Sequence, residues 1–344
     1  RMQFPKNEPV TNGPLVVLLP VAMEQSPRTD VADALRGREF VSGILRAHGY
    51  VPAPLDVTPE ILQSPERIQH IVRTTKTRCV FNIFEGFGCD SGSEHQFRSL
   101  VEEMSIPCTG NPSGVLQACL SKETCSHTLR KAGISVPEGV SLHPGFDPEL
   151  LASLRLPVFV KPLMEDGSVG IDDASLVQEK SALLRTVLEK LSLFPRGVRA
   201  EEFIPGREYS VACIGNNPYN VLGVSVIDYE QTEGTNFLDY DSKWDPASPL
   251  YSLVPQRAEG AFREKAAQLA ATAGRTLGCR GYFRVDMRER HGILYVLDVN
   301  PNPDITPDGG FLRQCREAGF SDEQTVHTIL ELAFEEDEGG TTRE

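Results

Sequence analysis

The sequence predicts an α/β protein, an N-terminal domain on a parallel sheet followed by two α+β lobes. Three observations predict it. Short apolar strands alternate with helical stretches over residues 14 to 115, the pattern of a parallel sheet with crossover helices. A strand that ends in a lysine, VFVKP, runs into a glycine-bearing loop and is followed by a helix and the strand RAEEFI. Near the C-terminus, RVDMRERHGILYVLDVN reads as two strands joined by a charged turn at Arg288 to Gly292.

Bulk properties bound the function. At 344 residues the chain exceeds one simple core. Units are expected at 14–115, 116–215 and 216–335. No apolar run approaches bilayer-spanning length and no basic-then-apolar leader opens the chain, so a cytoplasmic enzyme without a membrane partner is expected. The 8 cysteines fall singly, without C-x-x-C or zinc spacing, which suggests reduced thiols. A net charge of -14 argues against a nucleic-acid partner, so any nucleotide must meet locally concentrated cations.

In chain order, VVLL between Pro14 and Pro20 reads as a buried parallel strand. A helix over Asp30 to His48 follows, closed by Gly49, then a short strand near Tyr50 to Pro52. An amphipathic segment spans Pro59 to Arg73, and CVFNIF, Cys79 to Phe84, is the next strand. The loop EGFGCDSGSEHQ lies where such sheets place ligands, though it also reads as a plain connection. From Ser121 a helix carries Lys122, and Pro137 breaks it. In VFVKPLMEDGSVG, glycines let backbone N–H groups approach an anion, Ser168 adds a hydroxyl, and Lys161 brings an ammonium. This is not the Walker pattern, and a flexible loop with a surface lysine reads the same residues. Glu201, Phe203 and Ile204, ahead of Pro205-Gly206, end a strand whose backbone could read an adenine edge, with Glu208 placed for ribose. Two acidic residues on a wet strand end are the other reading. The irregular stretch Glu230 to Pro255 suggests a lid carrying Lys243, while Trp244 packs the loop or serves the site. Asp298 and Asn300 are two apart on one strand and so share a face, which Asp286 can reach from the partner strand. Such oxygen ligands suit Mg²⁺. An ordinary hairpin with a polar wet face remains open.

The order of these signals is more specific than any one of them. A helix lysine, strand-Lys-Pro with a glycine loop, E-E-F-I-x-G-x-E, a lid with D-Y-x-x-K, and R-x-D followed by D-x-N together resemble the ATP-grasp ligases. Within these the likeness is to the D-alanine–D-alanine ligases and their relatives, and it covers about Val16 to Leu332. The resemblance implies a pre-ATP-grasp domain, which binds substrate, followed by a two-lobed ATP-grasp fold. Lys122 and Lys161 would hold ATP phosphates, with Ser168 and its loop closing over them. Glu201, Phe203 and Ile204 would line the adenine slot and Glu208 would bind ribose. Lys243 would reach the terminal phosphate. Asp286, Asp298 and Asn300 would hold two Mg²⁺ ions, or Mn²⁺, and Arg284 would stabilise the oxyanion of the adduct. Small carboxylate and amine substrates are implied: ATP phosphorylates the acid, an amine attacks the acyl phosphate, and an amide forms. A homodimer is common among the relatives.

The departures point at the substrate. Where those ligases carry a glutamate that grips the first substrate's ammonium, only Glu24 stands nearby. Their H-G becomes Glu85-Gly86, and the lid tyrosine becomes Trp244. Their ending N-T-x-P-G-x-T-x-x-S-L is here NPNPDITPDGGF, with Asp304 for the glycine and Asp308-Gly309-Gly310 for the serine turn. A carboxylate at 304 disfavours a substrate carboxylate beside it. The pocket is therefore expected to take a cationic or hydroxylic partner, or one lacking the carboxylate, with Asp308 alternatively a helix cap. Three readings stand: a ligase for a pair other than two D-alanines, a D-alanine–D-alanine ligase of peptidoglycan synthesis, and a nucleotide-binding protein without turnover.

Overall fold

The computed structural model describes residues 14–24, 29–88, 90–165, 168–229, 237–239, 241–242, 247–248 and 253–335. Strands β1 (Val16–Ala22), β2 (Val51–Val57) and β3 (Cys79–Val80) form a parallel sheet in the order β2-β1-β3. Helix Thr29–Ala47 makes the first crossover. The second is split into Pro59–Leu62 and Pro65–Thr75, because Pro65 cannot continue the preceding helix and opens the next. The expected strand Cys79 to Phe84 pairs only over its first two residues, and Phe81 and Phe84 are buried in extended chain beyond it.

Two antiparallel sheets follow. The first joins β4 (Gly139–Leu142), β5 (Val158–Pro162), β6 (Leu176–Val177) and β7 (Val198–Glu202) in the order β4-β7-β5-β6. Val158, Val160, Val198 and Ala200 turn one face onto helix Lys180–Leu193. The second sheet takes β8 (Glu208–Ile214), β9 (Asn220–Ile227), β10 (Gln256–Arg257), β11 (Tyr282–Arg290) and β12 (Ile293–Asn300), in the order β10-β9-β8-β11-β12. Sheet membership therefore changes at Pro205-Gly206, ahead of the expected limit at 215. Helices Ser113–Leu120, Lys122–Lys131 and Gly260–Leu277 cover the Tyr209, Val211, Phe283 and Val285 side of this sheet.

A third core joins the ends of the chain. Val17, Leu19 and Phe81 of the parallel sheet pack with Ala212, Tyr282, Phe311 and Ile329. Asn111 fixes this contact, its Nδ2 donating to the Tyr282 and Pro301 carbonyls at 3.0 and 2.7 Å. The single terminal helix expected is two, Gly310–Glu317 and Asp322–Leu332, broken at Gly319, whose φ is 89°. Among the described residues no helix is long and apolar enough to cross a membrane, and seven cysteines are free and buried.

Candidate active site

The turn of the C-terminal hairpin is shorter than expected. β11 runs through Arg288 to Arg290, and only His291 and Gly292 turn, with φ of 53° and 80°. Two successive positive φ values match the twist of the strands they join. In the register, Asp286 lies directly opposite Asp298, and Arg284 opposite Asn300. Just beyond, the pairing shifts, with Met287 facing Val296, so Leu297 is an extra residue. Without that bulge Asp298 would share the face of Leu294 and Val296 and enter the core, where both are buried. With it, Asp298 and Asn300 turn to the opposite face.

That face carries Glu208 and Ser210 from β8, Arg284, Asp286 and Arg288 from β11, and Asp298 and Asn300 from β12. Two carboxylates directly opposed on neighbouring strands repel unless a cation lies between them. Arg284 supplies part of that charge, donating to both Asp286 oxygens at 2.9 and 2.7 Å, while Ser210 Oγ donates to Asp286 at 2.8 Å. The Coulomb field of Asp286 drives the Arg284 pKa up against its burial, with Asp298 and Glu208 adding to the rise. Among the described residues no group of three His, Cys, Asp or Glu side chains gathers as a metal cluster. The donor set is two carboxylates and the Asn300 amide, whose Oδ1 also accepts from the Asn302 N–H at 2.9 Å. An all-oxygen set of this kind fits a hard divalent ion that keeps water ligands.

The opposing sheet presents cations. Lys161 and Phe159 alternate with the core valines of β5, and Arg199 and Glu201 stand across from them on β7. Glu201 accepts from Lys161 Nζ at 2.5 Å and from Arg199 Nε at 2.8 Å, all three side chains being buried. The carboxylate placed by resemblance near adenine thus neutralises the lysine assigned to phosphate. Lys122 opens its helix behind the Ser121 cap, whose Oγ accepts from Thr124 N–H at 3.2 Å, and its ammonium donates to the Glu165 carbonyl. The Cys119 hydrogen bond and burial push the Cys125 thiol up; Asp298 adds to the rise and Lys122 opposes it. The two sheet faces also meet through aromatic rings. Arg288 lies 4.7 Å from the Phe203 ring centre, and Phe203 lies 6.0 Å from Phe159.

Glu208 accepts from the Tyr229 hydroxyl at 2.9 Å and lies 3.9 Å from Arg288. Ile204 is buried. Ser168 begins a left-handed turn with φ of 65°. Lys190 Nζ anchors the far side of that loop by donating to the Gly170 carbonyl at 2.7 Å. Lys243 and Trp244 lie outside the described residues. Gly206 lets the chain cross between the lobes, since a Cβ there would stand 1.9 Å from the Glu289 carbonyl oxygen.

Glu24 and the glycine loop meet, Gly88 N–H donating to Glu24 Oε1 at 2.7 Å. Glu85 and Asp304 line one small pocket with Gly37, Tyr282 and Asn302. Asp304 accepts a short hydrogen bond from Thr306, and a Cβ on Gly309 would come within 3.1 Å of Asp304 Oδ2. Burial pushes the Asp304 carboxyl up, the Thr306 bond opposes this, and Asp33 and Asp308 add to the rise. Asp308 does not cap a helix: Gly309 is the N-cap, and exposed Asp308 accepts from Arg36 at 2.8 and 3.0 Å. A cavity of about 330 Å³ opens on the opposite side of the second sheet, around Tyr209, Val226 and Arg257, and holds none of the expected site residues.

Several members were missed in the sequence. Glu165 ties the glycine loop to the first lobe, accepting from Ser91 at 2.7 Å and Arg196 at 2.9 Å. Arg290 binds Glu202 at 2.8 and 3.2 Å across the lobes. Ser210 carried a signal, because it alternates with Glu208 on a half-buried strand.

A parallel-sheet domain ahead of two antiparallel lobes, one offering buried ammonium groups and the other a carboxylate face, is the architecture of an ATP-grasp ligase. Comparison with known proteins narrows the class. Residues 136–331 match the family model described as D-ala D-ala ligase C-terminus. The D-alanine–D-alanine ligase of Desulforudis audaxviator is 30% identical over 307 residues, spanning 88% of this chain and 94% of the relative. That of Carboxydothermus hydrogenoformans is 31% identical over 278 residues, 78% and 86% of the two chains. The crystal structure of D-alanine–D-alanine ligase from Bacillus anthracis complexed with ATP shares the fold, with a TM-score of 0.73 at 19% identity over 93% of this chain and 97% of that one. So does the VanG D-Ala:D-Ser ligase from Enterococcus faecalis, with a TM-score of 0.73 at 20% identity over 94% and 100%. The chain belongs to the D-alanine–D-alanine ligase family and is an ADP-forming ATP-grasp ligase that joins a carboxylate to an amine.

Proposed function

We propose that this ligase works on a substrate pair other than two D-alanines. The observation that carries this reading is Asp304, a partly buried carboxylate beside the Gly309 turn, with Glu85 lining the same pocket. Two acids in a confined pocket favour a cationic or hydroxylic group and oppose a carboxylate brought against them. The relatives are D-alanine–D-alanine ligases, which favours two D-alanines instead, whereas VanG, of the same fold, is a D-Ala:D-Ser ligase and takes a partner with a hydroxyl.

Each residue then has a task. ATP supplies the phosphoryl group that makes the acid electrophilic, and Asp286, Asp298 and Asn300 would hold Mg²⁺, which would offset charge on the phosphates. Lys122 and Lys161 position those phosphates, and the Ser168 turn closes over them. Glu201, Phe203 and Ile204 line the base slot and Glu208 meets ribose. Arg284 stabilises the oxyanion formed when the amine attacks. The organisation supporting this is a substrate domain to about residue 115 and two lobes that exchange at Pro205-Gly206.

Phosphate release from ATP, measured against a panel of D- and L-amino acids, tests the reading. Release with a pair other than two D-alanines is expected. Fast release with D-alanine alone overturns the substrate assignment. Tight ATP binding without release under any condition returns the chain to a nucleotide-binding role.

A further inference from the structure

Arg313 is half-buried, and Glu317, four residues on, favours its charge. It sits in the first turn of helix Gly310–Glu317, and its Nε is buried with no hydrogen-bond partner among the described residues. A buried guanidinium nitrogen without a partner is unfavourable. Burial lowers its pKa; Glu317 opposes the fall and Arg284 adds to it.

The position of Arg313 is set by its neighbours. Gln314 accepts from Ala212 N–H at 2.7 Å and donates to the Ser210 carbonyl at 3.2 Å, which pins the helix to β8 beside the Arg284–Asp286 pair. A Cβ on Gly310 would lie 3.7 Å from Arg313 Nη2, so the guanidinium folds back over the Gly309–Gly310 turn. That turn offers no side-chain donor of its own. Arg284 is already engaged by Asp286, whereas Arg313 Nε meets no hydrogen-bond partner among the described residues.

We infer that Arg313 binds an anionic group, a carboxylate, on the amine that attacks the activated acid. This rests on the ligase reading and deepens it. Asp304 keeps a carboxylate from its own vicinity, and Arg313 supplies an alternative place for it across the glycine turn. The acceptor is then an amino acid whose carboxylate meets Arg313 and whose remaining polar group faces Asp304 and Glu85.

The test compares the full chain with Arg313→Met and Arg313→Lys. The acceptor is the amino acid giving the fastest phosphate release in the panel, alongside its carboxamide. With Arg313→Met, KM for the amino acid should rise at least about tenfold, because one partner of a charge pair is lost. KM for the carboxamide should change less than about twofold, with partial recovery in Arg313→Lys. Thermal stability should hold, since the Arg313 Nε makes no hydrogen bond among the described residues that the substitution would break. Equal changes for both acceptors, or none for the amino acid, overturn the inference while the ligase reading stands. If no pair releases phosphate, the ligase reading fails, and calorimetric titration of the panel into protein loaded with a non-hydrolysable ATP analogue decides for Arg313. Amino-acid binding that weakens in Arg313→Met upholds its role, and binding that is absent or unchanged overturns it.

Discussion

Arg284 holds Asp286 by two parallel hydrogen bonds, Nε to Oδ1 at 2.9 Å and Nη2 to Oδ2 at 2.7 Å. The arginine proposed for the oxyanion and the aspartate proposed for the metal are one ion pair, so a cation at Asp286 competes with a guanidinium. Arg284→Ala should therefore lower turnover by about 10²–10³-fold, as for other lost oxyanion donors, without weakening metal binding. Asp298→Ala removes a ligand instead, and should raise the Mg²⁺ needed for half-maximal phosphate release at least about tenfold. Mn²⁺ titration of both variants separates the roles; equal loss of metal affinity in the two contradicts the division.

Glu201 neutralises two buried cations, Lys161 and Arg199, from a single carboxylate. Removing one partner of a buried ionic group leaves the others uncompensated. Glu201→Ala should lower stability by about 3–5 kcal/mol in urea unfolding, and Glu201→Gln, which keeps acceptor capacity, by less. A loss below about 1 kcal/mol for the alanine variant, the size of an exposed pair, would show that the lysine and arginine find other partners.

Local rules made much of the fold legible. Helix Gly260–Leu277 follows its periodicity and stops at Gly278, whose φ of 74° suits glycine. Strand-helix alternation marked the parallel sheet, and the two-residue spacing of Asp298 and Asn300 marked their shared face. Features set by distant contacts were not legible. The bulge at Leu297 depends on which residues of β12 the helices behind it bury. Asp308 pairs with Arg36, 272 positions away, and so could read as a cap or a substrate ligand. Arg313 stood out only once its buried Nε showed no hydrogen-bond partner among the described residues.

Asp304 gives the pocket a pH signature. Burial raises its carboxyl above the ordinary value, with Asp33 and Asp308 adding to the rise against the Thr306 bond. Between the unfolded and folded pKa values the folded state binds more protons than the unfolded chain, so stability falls as pH rises through that window and levels off above it. Asp304→Asn keeps the shape and removes the charge. At pH 7–8 the variant should be more stable and melt at a higher temperature than the parent chain. Near pH 3–4 the advantage should shrink, because protonated Asp304 no longer bears the charge that burial penalises. Melting curves across that range check the sign. An advantage that grows on acidification would mean that Asp304 is stabilised as an anion, and the argument for a cationic or hydroxylic partner would lose its basis.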